Sequence, residues 1–328
     1  MSTPETTYRE AITAALREAM QADENVVLLG EDIAAAGGSF KVTDGLLDAF
    51  GPDRVMDTPI SETGFIGASI GLALAGFRPV AELMFADFGA VAFDQIVIEA
   101  AKYMYMSAGE MNVPLVIRAT GGAGLRFGSQ HSATTESWYL SVPGLKVVAP
   151  STPQDAYGLM LSAIADPNPV VYLEHKKLFG SKGPLDTAQG PTPIGKAAVV
   201  RPGQDVTLVA SLAMVPVALE AADQLSADGI DAEVIDVRSL LPADTETIAD
   251  SVRRTTRLVT IEEQPIYGGW GSSVAAAVVD QAFDYLDHPP VRIGTPPAPM
   301  PFSPVLEDAA IPSADRIAQT VREAVGKS

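Results

Sequence analysis

At 328 residues with 47% apolar content, the chain is long enough for roughly two domains, each with its own core. Its formal charge of −19, from 41 acidic and 22 basic residues, excludes the basic footprint that nucleic acid or an anionic membrane surface demands. Cysteine is absent, which excludes disulfides and thiolate metal sites, and the three histidines (His131, His175 and His288) are too scattered for a zinc motif.

The start, "MSTPETTYREAITAAL", has no basic region followed by an apolar core, and no uninterrupted apolar run reads as membrane-spanning. With the missing cysteines, this predicts a cytoplasmic protein. In chain order, strands are expected at 25–30, 78–85, 113–119, 145–150 and 169–175, where Val, Leu and Ile run together. Helices are expected between them at about 7–21, 62–76, 87–108, 134–140 and 153–165; "STPQDA" (151–156) supplies a cap and a first-turn proline for the last. A glycine- and proline-rich stretch, "FGSKGPLDTAQGPTPIGKA" (179–197), has the features of a linker.

The second block repeats the theme. Strands at 205–211, 232–237, 257–263 and 291–294 alternate with helices near 214–227, 244–254 and 270–286. The stretch "PPAPMPFSP" (296–304) is too proline-rich for regular structure. The pattern predicts an α/β protein of two domains, 1–190 and 191–328, joined by a linker at about 180–200, each a mostly parallel sheet covered by helices.

Several segments carry candidate chemistry. "DTPISETGFIG" (57–67) puts Glu62 at a helix start, with Ser61 or Thr58 as cap; Ile66, Ile70, Leu74 and Phe77 share one face, and Gly64, Gly67 and Gly71 thin another. Taken alone, Glu62 reads more readily as an ordinary first-turn acid. "ELMFADFGAVAF" (82–93) surrounds a strand-to-helix turn with Met84, Phe85, Phe88 and Phe93, at the kind of strand end where open parallel sheets bind ligands. The same stripe could be core or subunit contact. "ATGGAGLRFGSQHSATTE" (119–136) is a glycine-rich loop after a strand, and its His131 is either a proton-transfer group or a structural one. "AIADPNPV" (163–170) offers hard oxygen donors, or is simply a Pro/Asn turn. In "EEQPIYGGWGSS" (262–273), Tyr267 and Trp270 are candidates for lining a groove or contact. Neither GxGxxG nor GxxxxGK[ST] occurs where a nucleotide would need it.

The ordered series "GED" (30–32), "FKVTDGL" (40–46), "GPDRVMDTPISETGFIG" (51–67), "ELMFADF" (82–88), "DQI" (94–96), "AAKYMYM" (100–106), "QHS" (130–132), "PGLKVVAPSTPQDA" (143–156), "AIADPNPV" (163–170), "PIGKA" (193–197), "EVIDVRSL" (233–240) and "LVTIEE" (258–263) spans nearly the whole chain. It resembles the beta subunit of the thiamine-diphosphate-dependent E1 component of 2-oxo acid dehydrogenase complexes. The resemblance implies a pyrimidine-binding domain followed by a transketolase C-terminal-like domain. It implies an E1 alpha partner in an alpha2beta2 heterotetramer, with Mg2+ and the diphosphate held mainly by alpha, and lipoyl-bearing E2 and E3 in a larger complex.

Matched by position, Glu62 is similar to the family glutamate that hydrogen-bonds N1′ of the aminopyrimidine. Ile60, Met84 and Phe88 match apolar positions around that ring, and His131 matches an active-site histidine. A K+ site maps to Leu115, Ala163, Ile164, Asp166 and Asn168, the first three through carbonyls. The chain departs from the family at Pro297, where an aspartate is usual. The implied activity is oxidative decarboxylation of a 2-oxo acid with acyl transfer to lipoyllysine of E2. Pyruvate is the first choice because of "EHKKLFGSKG" (174–183); acetoin and branched-chain 2-oxo acids are alternatives. A self-contained transketolase fits poorly, and a non-catalytic assembly protein of the same fold is the non-enzymatic alternative.

Overall fold

A computed structural model describes residues 5–326. The chain divides into two compact units: residues 1–121 with 138–194, and residues 122–137 with 195–328. The glycine-rich loop at 122–137 thus belongs with the second unit, whereas the sequence division near 190 leaves it in the first. The reason is its bonding. Ala123 N–H donates to Glu263 Oε1 at 2.5 Å, Ser137 Oγ donates to Gln264 Oε1 at 2.6 Å, and Gln264 Nε2 donates to the Thr134 carbonyl at 2.9 Å.

In the first unit, six parallel strands run in the order Lys146–Val148, Val170–His175, Val116–Gly121, Arg78–Leu83, Val26–Gly30, Val55–Asp57. The central strands are buried from end to end, as a parallel sheet covered on both faces requires. Helix Tyr8–Ala22 starts at a capping box in which Thr7 and Glu10 satisfy each other's backbone N–H. Its Tyr8, Ile12, Leu16 and Met20, one turn apart, form a fully buried face. It packs against helix Pro153–Ala165, which Thr152 caps and Pro153 opens, as the sequence predicts.

Across three central strands, Arg118 is buried between Glu82 and Glu174, with a two-pronged grip on Glu174 at 2.7 and 2.9 Å and a short bond to Glu82. Burial opposes its charge, but the two carboxylates outweigh burial and raise its pKa, so the guanidinium stays charged.

The expected helix at 87–108 is instead three short turns: a 3-10 turn Ala86–Ala90, a π-turn Gln95–Ala100 and an α-turn Tyr103–Met106. Close backbone packing accounts for the breaks. A Cβ on Gly89 would overlap the Tyr139 hydroxyl, and one on Gly144 would overlap the Ala101 carbonyl. Tyr105 and Met106 stand exposed on the last turn.

In the second unit, five strands run in the order Val291–Thr295, Leu258–Pro265, Val206–Ala210, Ala232–Asp236, Ala198–Arg201; all neighbours are parallel except the last, antiparallel edge. Helices Met214–Ala227, Thr245–Thr255 and Trp270–Ala282 lie close to their sequence-expected positions. Beyond the proline-rich stretch come two further helices, Pro304–Ala310 and Ala314–Ala324, the second burying Ile317, Ala318 and Val321. Among the described residues no helix is long and apolar enough to cross a membrane.

Candidate active site

Three neighbouring strands of the first unit, Val55–Asp57, Val26–Gly30 and Arg78–Leu83, are parallel, so their carboxyl ends share one edge. Each is followed by a candidate side chain. Glu31 succeeds the wholly apolar "VVLLG", Met84 and Phe88 follow the third strand, and Ile60 and Glu62 follow the first after a short turn. Ligands of open parallel sheets bind along this edge.

Glu62 opens helix Glu62–Leu74 and is buried, which is rare for a carboxylate. The expected cap is absent: Ser61 makes no side-chain capping bond, and Thr58 Oγ1 is buried without a partner among the described residues. Glu31 is also buried, and its Oε1 has no hydrogen-bond partner among the described residues. Burial, then the neighbouring Glu62, then Asp32 raise the Glu31 pKa above the ordinary carboxylate value. Sequence reading assigned Glu31 no role. An acid directly after a fully apolar strand was the available signal.

The apolar partners divide by exposure. Met84 and Phe88 are half-buried, and Phe88 meets Phe85 edge-to-face at 6.0 Å between ring centres. Phe85 meets Phe40 in turn at 6.1 Å. Ile60 is 84% exposed, an apolar side chain projecting from the same strand edge. Thr63 Oγ1 donates to the Val91 carbonyl at 2.8 Å, tying the start of the Glu62 helix to the segment after Phe88. Of the helix face expected to be buried, Ile66 and Ile70 are, while Leu74 is partly open; the Gly64 and Gly71 face is exposed.

His131 lies in the second unit, half-buried on the loop 122–137. Both ends of that loop are fastened. Beyond the bonds to Glu263 and Gln264, Gly124 N–H donates to Glu307 Oε1 at 2.8 Å, and Arg126 pairs with Glu307 and with Asp308 at 2.8 Å. Ser129 Oγ donates to the Met300 carbonyl at 2.8 Å. Glu307 is fully buried and was not singled out in the sequence; its helix begins inside a stretch whose prolines mask it. Tyr267 is exposed, but Trp270, expected at a groove or contact, is a core side chain.

At the candidate cation turn, the Leu115 carbonyl accepts from Val170 N–H at 2.9 Å and the Ile164 carbonyl from Arg78 at 3.0 Å. The Ala163 carbonyl accepts from Asp166 N–H at 3.3 Å. The Asp166 carboxylate is taken by Lys146 and by Asn168 N–H. The three carbonyls and the Asp166 carboxylate thus each already accept at least one hydrogen bond within the chain. No group of three or more acidic or histidine side chains among the described residues forms a metal cage.

Two family descriptions match the chain: "Transketolase, pyrimidine binding domain" over residues 4–182 and "Transketolase, C-terminal domain" over 195–317. The chain is 47% identical to subunit beta-2 of the mitochondrial pyruvate dehydrogenase E1 component of Oryza sativa subsp. japonica, covering 98% of this chain and 86% of that one. It is 46% identical to the beta subunit of the acetoin:2,6-dichlorophenolindophenol oxidoreductase of Bacillus subtilis, over 97% and 96% of the two chains. Among solved structures, a split-gene transketolase described as an inactive beta4 tetramer superposes with a TM-score of 0.80 at 28% identity, covering 97% of this chain and 98% of that one.

Proposed function

The chain belongs to the E1 beta subunit family of thiamine-diphosphate-dependent 2-oxo acid dehydrogenases, and we propose that it forms the pyrimidine-facing half of a pyruvate dehydrogenase active site. The observation that carries this reading is Glu62, a buried carboxyl at a parallel-sheet edge, beside a second buried carboxyl and an aromatic turn. The residues fit an aminopyrimidine: Glu31 Oε1 is a buried acceptor without a partner among the described residues, and Ile60 offers apolar surface that a ring could cover. Thiamine diphosphate, when bound, supplies the electron sink for loss of CO2 from the 2-oxo acid.

The chain's own contribution is to hold and share a proton. Glu62 would hydrogen-bond N1′, where a desolvated carboxyl exchanges a proton more effectively than one in water. Burial and then the neighbouring Glu62 raise the Glu31 pKa, so Glu31 gives up its proton less readily than an exposed carboxyl. Phe88, Met84 and Ile60 would keep water from the ring, and His131 would bind substrate or assist passage of the acyl group to lipoyllysine. Mg2+ and the diphosphate fall to an alpha subunit, in keeping with the missing phosphate loop. K+ would be held at 163–168 through carbonyls, with Lys146 neutralising Asp166. The E2 and E3 components would complete the complex.

A second substrate, acetoin, is favoured by the nearly equal similarity of the acetoin-enzyme subunit. Reconstitution with an E1 alpha subunit separates the two. Expected is thiamine-diphosphate-dependent turnover that is fastest with pyruvate, and loss of at least about 100-fold in kcat on Glu62→Gln with the assembly intact. Faster turnover of acetoin would move the substrate assignment, and a fully active Glu62→Gln enzyme would end the proton-sharing role. The beta chain alone is expected to be inactive, as the beta4 split-gene transketolase is described to be.

A further inference from the structure

Where the 122–137 loop ends, Glu136 is buried at 3% exposure, and its Oε2 has no hydrogen-bond partner among the described residues. The acids facing it are Glu263 and Glu262 of strand Leu258–Pro265, themselves almost wholly enclosed. Helix Trp270–Ala282 adds two backbone N–H groups, from Gly271 and Trp270, directed at Glu262. Two polar side chains of this region are likewise buried and unpartnered among the described residues: the Trp270 indole N–H and the Thr260 hydroxyl.

Of the cations on neighbouring elements, none among the described residues pairs with Glu136. Arg292 of strand Val291–Thr295 acts on Glu262 and donates to Ser272, while Arg126 of the loop is held by Glu307 and Asp308 of helix Pro304–Ala310. Adding charge to Glu136 would place an unpaired anion between two other carboxyls in a dry pocket, which costs several kcal/mol and is avoided by keeping the proton or by moving.

We propose that Glu136 is a positioning residue: buried and uncharged between the Thr134–Gln264 and Ser137–Gln264 bonds, it lets the His131 loop stay fastened to strand Leu258–Pro265, and its ionisation frees that loop. In support, burial first, then Glu263 and Glu262, push its pKa up to about 8, and burial pushes Glu262 to about 7. The consequence for turnover rests on the proposed role of His131; the loop transition itself does not.

Amide hydrogen exchange on the full-length chain tests it, with rates corrected for intrinsic pH dependence. Between pH 6.5 and 9.5, protection at Ala123, Gly124 and Arg126 is expected to fall at least tenfold in the natural chain. In Glu136→Gln it should stay near the neutral-pH level throughout. A flat profile in the natural chain, or the same fall in Glu136→Gln, overturns the proposal. Should Glu136→Gln fail to fold, Glu262→Gln decides: removing one flanking acid must move the transition to lower pH, and an unmoved midpoint counts against the proposal. In the alpha-reconstituted enzyme, kcat should be lost over the same interval, and that alkaline loss should vanish in Glu136→Gln. Because exchange needs neither cofactor nor partner, an inactive reconstitution would sink only the enzymatic reading, whereas active enzyme with pH-independent exchange would sink only this one.

Discussion

Forty-one acidic residues make an acid in this sequence an ordinary event, yet a few of them are buried where a charge is costly. Glu62 is singled out by the motif around it, although its burial is not. Glu31, Glu136, Glu262 and Glu307 are not singled out, because burial is decided by strands and helices far away in the chain. Glu262 is enclosed because Gly269 and Gly271 leave no side chain where its carboxyl lies; a Cβ on either would overlap or crowd it. Its folded pKa of about 7 lies above the ordinary 4.5, so the stabilising proton is fully retained below pH 4.5 and lost as pH rises through 7. Each unit between those limits weakens the fold by about 1.4 kcal/mol. Urea midpoints should fall from pH 5 to pH 7, and Glu262→Gln should lessen that slope, leaving the part that Glu136 contributes. Arg118 predicts the opposite kind of loss. Arg118→Met leaves Glu82 and Glu174 buried without their cation, and unfolding titrations should show a destabilisation of about 3–5 kcal/mol.

The regular elements came through best where apolar runs were long. Strand Val170–His175 and helix Pro153–Ala165 fall within a residue of their sequence-expected bounds, because continuous burial and a Thr-Pro start are local signals. The region 87–108, expected as one helix, has a helical composition, while what interrupts it is tertiary. Gly144, with φ +99°, lets its backbone lie against the Ala101 carbonyl. Gly144→Ala would strain that φ by roughly 1–3 kcal/mol and overlap the carbonyl as well. A thermal melt should show a clear drop in Tm, larger than for Gly71→Ala, where nothing lies within 4 Å. Helix Ala314–Ala324 has a readable amphipathic spacing and a Ser313 cap, but it lies beyond a proline-rich stretch at which the sequence reading stopped.

For the molecule as a whole, the predicted two α/β domains are present, but the chain passes between units three times, at 121–122, 137–138 and 194–195. No local signal marks the first two passages; they exist because Glu263, Gln264 and Glu307 hold the loop from more than 120 residues away. Trypsin reads this directly at Arg126. In Glu307→Ala, Gly124 and Arg126 lose their acceptor, and cleavage after Arg126 should accelerate at least tenfold at neutral pH while the rest of the chain resists.

The Ala123–Glu263 bond, spanning 140 residues, also sets an order of events during synthesis. At roughly 5–20 residues per second, the loop that carries His131 leaves the ribosome about 7–28 seconds before its anchoring strand is made. Once strand Val170–His175 has been made within that interval, all six parallel strands of the first unit are present while the His131 segment still lacks its anchor. The strand edge that bears Glu62 is therefore complete before the loop that bears His131 is fastened, and Glu307, translated later still, supplies the acceptor for Gly124.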